Sequence, residues 1–141
     1  MCTLLVLASA LVISGCATTG GGVSDEDQVR AVLGQWKDGL VAADADKIMA
    51  TYSENFTAQD TTGFKGGADK AGLRKFVEKS IKNGRYEGVE INLDDVDIAI
   101  EKGVATVYPI GYTVPEGSIT IKLILTKEQA GWLITDMLVE M

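Results

Sequence analysis

The sequence has no histidine. That removes His–Asp acid–base pairs, His-based nucleophile triads and imidazole metal sites from the chemistries open to it. Cysteine is nearly as scarce. Cys2 and Cys16 are the only two, so everything after them lacks a thiol for a disulfide, a metal or a nucleophile. Basic charge is short as well. Thirteen Lys and Arg stand against twenty Asp and Glu, for a formal net charge of −7. A nucleic-acid surface is disfavoured, because phosphate contacts need cations, and the acidic surplus serves solubility. No apolar run is long enough to span a bilayer, which takes about 20 residues. There is no internal repeat. With 46% hydrophobic and 23% charged residues, the 141 residues fit one globular domain. No cofactor and no metal are implied.

The longest apolar run, Thr3 to Ser14, carries no charge and has the length of a signal-peptide core. It leads into Ile13-Ser14-Gly15-Cys16. This stretch resembles the bacterial lipoprotein signal, in which an aliphatic residue and two small residues precede a lipidated Cys. The opening Met1-Cys2-Thr3 departs from that pattern, since a signal normally begins with Lys or Arg. The resemblance implies a signal over 1–15, lipidation at Cys16, and a flexible tether through residue 23. Several acyl chains would then hold the protein in the bacterial cell envelope. In a Gram-negative cell, Ala17 after the Cys implies the outer membrane, facing the periplasm. A Cys2–Cys16 disulfide and an ordinary buried helix are the alternatives for this segment.

From Ser24 to Met141 the pattern is helices followed by strands. Ser24 can cap a first helix, with Asp27 reaching back, and acidic residues 25–27 suit the helix N-terminus. Val29, Val32, Leu33, Trp36, Leu40 and Val41 make its apolar stripe, predicting a helix to about Ala43. Asp44-Ala45-Asp46 breaks the chain and restarts it. A short helix holding Ile48, Met49 and Tyr52 follows, with Phe56 just beyond. Thr57 to Thr62 is expected to form an edge strand. Asp69 caps a third helix, Lys70 to Asn83, stopped by Asn83-Gly84. Four strands are then expected. Alternation is clearest from Ser118 to Lys127, where Ile119, Ile121, Leu123 and Leu125 share one face. Val104–Val114 and Trp132–Val139 are two more. In the fourth, Val89–Ile100, the parity of apolar residues changes, which predicts a bulge near Asp94-Asp95. The short Gly-containing connections make hairpins.

The run Val32-Leu33, Trp36, Leu40, Asp46, Met49-Ala50, Tyr52-Ser53 and Phe56 resembles the helical opening of nuclear transport factor 2-like domains, the SnoaL-like group included. Lys102-Gly103-Val104-Ala105-Thr106-Val107 and Gly131-Trp132-Leu133-Ile134 resemble that family's strands. The resemblance covers 24–141. It implies an α+β fold in which N-terminal helices pack on a curved antiparallel sheet, a cystatin-like cone with a pocket at its open end. It also implies pairing of two copies through the outer sheet face.

Such a pocket could bind, or it could catalyse. Trp36, Tyr52, Phe56, Tyr112 and Trp132 are the candidate ligand-binding residues, although aromatics at helical spacing also serve as plain core. For catalysis a buried Asp would act as base and a Tyr as donor. Asp136, Asp60 and Tyr52 are the candidates, with Tyr108 and Tyr112 as further donors. Asp136 shares parity with Trp132, Ile134 and Leu138, and so is expected on an apolar face unless it is solvated at a frayed strand end. Asp94, Asp95 and Asp97 lack the Gly and terminal Glu of a Ca²⁺ loop and read as a solvated turn. The basic residues Lys65, Lys70, Arg74, Lys75 and Lys79 form a solvated face, or one that rests on anionic headgroups. The favoured function is a membrane-anchored, non-catalytic module that binds or scaffolds a small apolar ligand or a protein. The alternative is an isomerase or lyase using an Asp base and a Tyr donor. A structural accessory subunit would instead show an exposed apolar sheet face.

Overall fold

Ser24 starts the fold by accepting a hydrogen bond at its Oγ from the Asp27 N–H, 3.1 Å away. This satisfies one orphan donor of helix α1, Asp25–Val41. The computed structural model describes residues 23–58 and 69–140. The signal segment, Cys16, the tether to residue 22, Asp60 and the rest of 59–68 lie outside the described residues.

Val29, Leu33, Trp36 and Leu40 form the buried stripe of α1. Val32 is only half-buried, and Val41, expected on the stripe, is 57% exposed. The helix ends there because the chain turns. Ala43 takes φ +50°, its N–H bonds the Leu40 carbonyl, and the Asp44 N–H bonds the Gly39 carbonyl. These two bonds satisfy the last orphan carbonyls. The same Asp44 then caps helix α2, Ala45–Met49, through the Lys47 N–H. Residues 51–57 run beside the last strand. Ile134 N–H bonds the Thr51 carbonyl, and the N–H groups of Ser53 and Thr57 bond the carbonyls of Ile134 and Thr135. The sheet edge is thereby covered. Thr57 bridges to Asp69, and the remainder of the edge strand expected over Thr57–Thr62 lies largely outside the described residues. Helix α3, Lys70–Lys82, is capped by Asp69. It is closed by Gly84 at φ +68°, with the Arg85 N–H on the Ser80 carbonyl.

Five antiparallel strands follow: β1 Glu90–Asn92, β2 Asp97–Glu101, β3 Val104–Val114, β4 Gly117–Glu128 and β5 Gly131–Glu140. The sheet order is β1-β3-β4-β5, with β2 also on the edge of β3. The single bulged strand expected over Val89–Ile100 is two strands. The parity change is real, but it is met by a break. Asn92 folds back, accepting from the Asp94 N–H and donating to the Asp95 carboxylate. β1 then pairs the far half of β3 and β2 the near half. The bulges lie elsewhere. The β3–β4 register shifts between Val107 and Ile110, around Pro109, which has no N–H to give a ladder. The β4–β5 register shifts at Thr135, which is left without a partner between Ile134 and Asp136. The sheet curls without closing. Its inner face carries Ala105, Val107, Ile110, Ile121, Leu123, Leu125 and Ile134, all at most 4% exposed. Burying each of the larger ones stabilises the fold by about 1.5–3 kcal/mol.

α1 and α2 pack closely at Gly39. A Cβ there would come within 3.0 Å of Ile48 Cγ1 and of the Ile48 backbone N. At Gly34, nothing lies within 4 Å. Ala gains about 1 kcal/mol of helix propensity over Gly at either site, but overpacking costs about 1–3 kcal/mol. Urea denaturation should therefore show Gly34→Ala raising stability and Gly39→Ala lowering it. Equal effects would remove the close α1–α2 contact.

Candidate functional site

The helices and the concave face of the sheet do not fill the space between them. The space left is a cavity of 470 Å³, open on one side, within the range of about 300–1,000 Å³ usual for small-molecule sites. Trp36 and Leu40 of α1, Ile48 of α2 and Tyr52 line its inner end. Leu73, Phe76, Val77 and Ser80 come from α3. The sheet contributes Tyr112, Val114, Ile119, Ile121, Met137 and Val139. Gly84 turns the chain so that the exposed Arg85 and the buried Tyr86 join the lining, with Glu116 of the β3–β4 turn exposed on the same cavity.

The polar groups inside are three phenols and the Ser80 hydroxyl. Trp36 Nε1–H donates to the Tyr52 hydroxyl at 3.0 Å, and Phe56 packs edge-on against the Tyr52 ring at 5.0 Å. Together these fix the ring. Among the described residues, no acceptor is placed for the Tyr52 hydroxyl proton, so that O–H is a donor available to the cavity. The Tyr86 hydroxyl lies near Ser80. Burial raises the pKa of Tyr52, Tyr86 and Tyr112, and the nearness of Tyr86 adds to the rise at the other two. All three are neutral hydroxyls at physiological pH. Glu116, at the rim, is the one carboxylate among the described residues lining the cavity.

Of the sequence candidates, Trp36, Tyr52 and Tyr112 meet in this cavity. Phe56 is core, 1% exposed behind Tyr52. Trp132 is core at the opposite end, where its Nε1–H donates to Asp25 at 3.3 Å and Lys127 pairs with the same carboxylate at 2.7 Å. These contacts hold the Asp25 carboxyl below the usual range and tie α1 to the β4–β5 turn. Asp136 does not share a face with Trp132 and Ile134. The extra residue Thr135 flips the parity, so Asp136 pairs with outward-facing Ile124 while Met137 and Val139 turn inward. Asp136 is 8% exposed and accepts from the Met137 N–H. Tyr108 lies on the outer face, donating to Glu140, with Lys122 over its ring. Among the described residues, no group of acidic side chains is arranged to hold a metal, the Asp94–Asp97 turn included.

The sequence reading missed Tyr86, Arg85 and Glu116. The Asn83-Gly84 stop was the available signal, because a helix end beside a sheet opening delivers the next residues to the rim. Met137 and Val139 were hidden by the bulge.

No protein-family description matches the chain, and no curated protein matches it in sequence. Solved structures do. A cystatin-like protein of unknown function from Nostoc punctiforme superposes with a TM-score of 0.65 at 18% identity, over 82% of this chain and 89% of its own. A nuclear transport factor 2-like protein of unknown function from Shewanella baltica gives 0.62 at 17%, over 84% and 97%. A Streptomyces avermitilis protein, described as a candidate dehydratase of that family, gives 0.63 at 10%, over 82% and 94%. The fold is therefore the nuclear transport factor 2-like, cystatin-like one.

A phenol whose pKa is raised in the folded state stays protonated where the unfolded chain, above pH about 10, loses its proton. For Tyr52 the stability present below that pH is lost as pH rises, by up to about 1.4 kcal/mol per pH unit. Denaturation between neutral and strongly alkaline pH should show this slope, and Tyr52→Phe should make it shallower. An unchanged slope would mean that Tyr52 is not buried.

Proposed function

We propose that this chain is a lipid-anchored protein of the bacterial cell envelope that binds a small apolar molecule in its cone without transforming it. One observation carries the reading: an open 470 Å³ cavity whose wall is mostly apolar, whose inner polar groups are neutral hydroxyls, and whose one carboxylate among the described residues is the exposed Glu116. Apolar surface supplies affinity there, and the Tyr52 O–H selects a ligand with an acceptor at its buried end. Among the described residues, the inner wall offers no carboxylate to take a substrate proton. The Cys16 motif supports the anchor. Pairing of two copies through the outer sheet face is supported by Val104 and Tyr108, the large exposed apolar residues of that face.

One observation favours the second reading, an isomerase or lyase. Tyr52, held by Trp36, is built as a donor to a developing oxyanion, and a structural neighbour is described as a candidate dehydratase. Among the described residues, the carboxylate on the cavity that could serve as its base is Glu116, whereas Asp136 faces the outer side.

Nile red should bind at a single site, and Ile119→Trp, which fills the cavity from the sheet side, should weaken it about tenfold or more with little change in thermal stability. Undiminished binding would place the dye elsewhere. For the anchor, Cys16→Ser should abolish incorporation of labelled fatty acid and release the protein from the membrane fraction; retention of label would identify another acyl site.

A further inference from the structure

The rim of the cavity is flanked by charge that the binding role leaves unused. α3 carries five basic residues and one acidic one. In the rest of the chain, eight Lys and Arg stand against nineteen Asp and Glu. On α3, Lys70 pairs with Glu54, and Arg74 pairs with Asp46 and Glu78. Lys75, Lys79 and Lys82 are exposed, and none joins the ion pairs formed among the described residues. Their i, i+4, i+7 spacing puts them on one stripe. Arg74 marks the flank turned toward α2. The stripe lies on the solvent face of α3, away from the buried Leu73, Val77 and Ser80 and between Arg74 on one side and Phe76, which lines the cavity, on the other. Arg85 extends the positive charge to the rim, again outside every one of those pairs.

The proposed anchor enters at a matching place. Asp25 starts α1 beside the β4–β5 turn, through Lys127 and Trp132. Lys70 starts α3 beside the same turn, sharing a small cleft with Glu128 and Gln129. Tether and α3 therefore set out from one end of the domain. The seven residues from Ala17 to Val23 span at most about 25 Å, and the thirteen residues of α3 span about 20 Å. A helix so placed can lie along the surface to which the tether is fixed.

We propose that the Lys75–Lys79–Lys82 stripe docks α3 flat on an anionic phospholipid bilayer. This brings the mouth of the cavity to headgroup level, so that its ligand is a membrane-borne apolar molecule. The proposal rests on the lipid-anchored, cavity-binding reading above. Near an anionic surface each Lys favours contact roughly five-fold, within a Debye length of about 8–10 Å. The acidic remainder of the chain is repelled, so one orientation is selected.

The test uses the lipidated chain reconstituted in phosphatidylcholine vesicles, with and without phosphatidylglycerol. Lysines are acetylated briefly and counted by mass spectrometry. Labelling of Lys75, Lys79 and Lys82 should fall about five-fold or more in the anionic vesicles and recover in high salt, with Lys102 of the β2–β3 turn unchanged. The triple variant K75Q/K79Q/K82Q should bind Nile red normally, yet leave Lys70 and Lys102 labelled alike in both vesicles. Equal labelling of the three lysines in both vesicles overturns the proposal. Protection in whole envelopes alone also overturns it and assigns the stripe to an acidic protein. Failure of the underlying reading is separate: an unanchored chain does not float with neutral vesicles, and a chain without a working cavity takes up no dye in solution.

Discussion

Two register slips decide what this sheet can hold. A regular strand presents every second side chain to the core, and one added residue reverses that order. The slip around Pro109 in β3 keeps Ala105 and Val107 inward before it and Ile110 and Tyr112 inward after it. The slip at Thr135 in β5 sends Asp136 outward and brings in Met137 and Val139. Bulges also bend and twist the strands that carry them. Both effects act toward one result, a curled sheet whose concave face is apolar along its whole length. Without the slip in β5, Asp136 would face the cavity and Met137 would face away. The chemistry of the site thus depends on a single threonine, Thr135, that the β4–β5 register skips.

The two ends of the domain differ for physical reasons. At one end of the domain, outside the cavity, Trp132 and Lys127 converge on Asp25. Beside the cavity, α1 ends at the Ala43 turn and α3 at Gly84, and residues of the β3–β4 hairpin complete the lining. What lines the opening is therefore set by where helices end. Burial there acts on hydroxyls, and it favours their neutral form. Three phenols kept protonated in an apolar wall can donate to a ligand and hold its orientation. They cannot draw off a proton near neutral pH. The same geometry with a carboxylate in place of Tyr112 would be a base site, and this contrast separates the binding reading from the catalytic one.

The helices were legible because their signals are local. Ser24, Asp44 and Asp69 each precede an apolar stripe and each caps a helix. The alternation of Ile119, Ile121, Leu123 and Leu125 carried β4 directly onto the core face. Two aromatics of the cavity, Trp36 and Tyr52, were visible, but so were Phe56 and Trp132, which are core. Periodicity shows that a ring is buried; it does not show whether its neighbour is protein or open space. The misplacement of Asp136 has the same root. A bulge is a tertiary event that leaves no composition mark in Thr135-Asp136, whereas the break at Asp94-Asp95 announced itself through a parity change and was misjudged only in kind. Arg85 and Glu116 escaped notice because isolated surface charges look alike until the fold places them on one rim.

The distribution of charge extends this argument from the cavity to its surroundings. A strongly acidic chain gains solubility from its negative surface and pays in repulsion from any anionic one. Concentrating positive charge on one helix does nothing for solubility, and lysines without ion-pair partners do little for stability. Lys70 and Arg74 are tied down by Glu54, Asp46 and Glu78, as expected of residues that serve the fold. Lys75, Lys79 and Lys82 are exposed on the solvent face of the same helix and join none of the ion pairs formed among the described residues. A stripe of that kind favours one orientation of the domain near an anionic surface, with α3 toward it and the acidic remainder of the chain away.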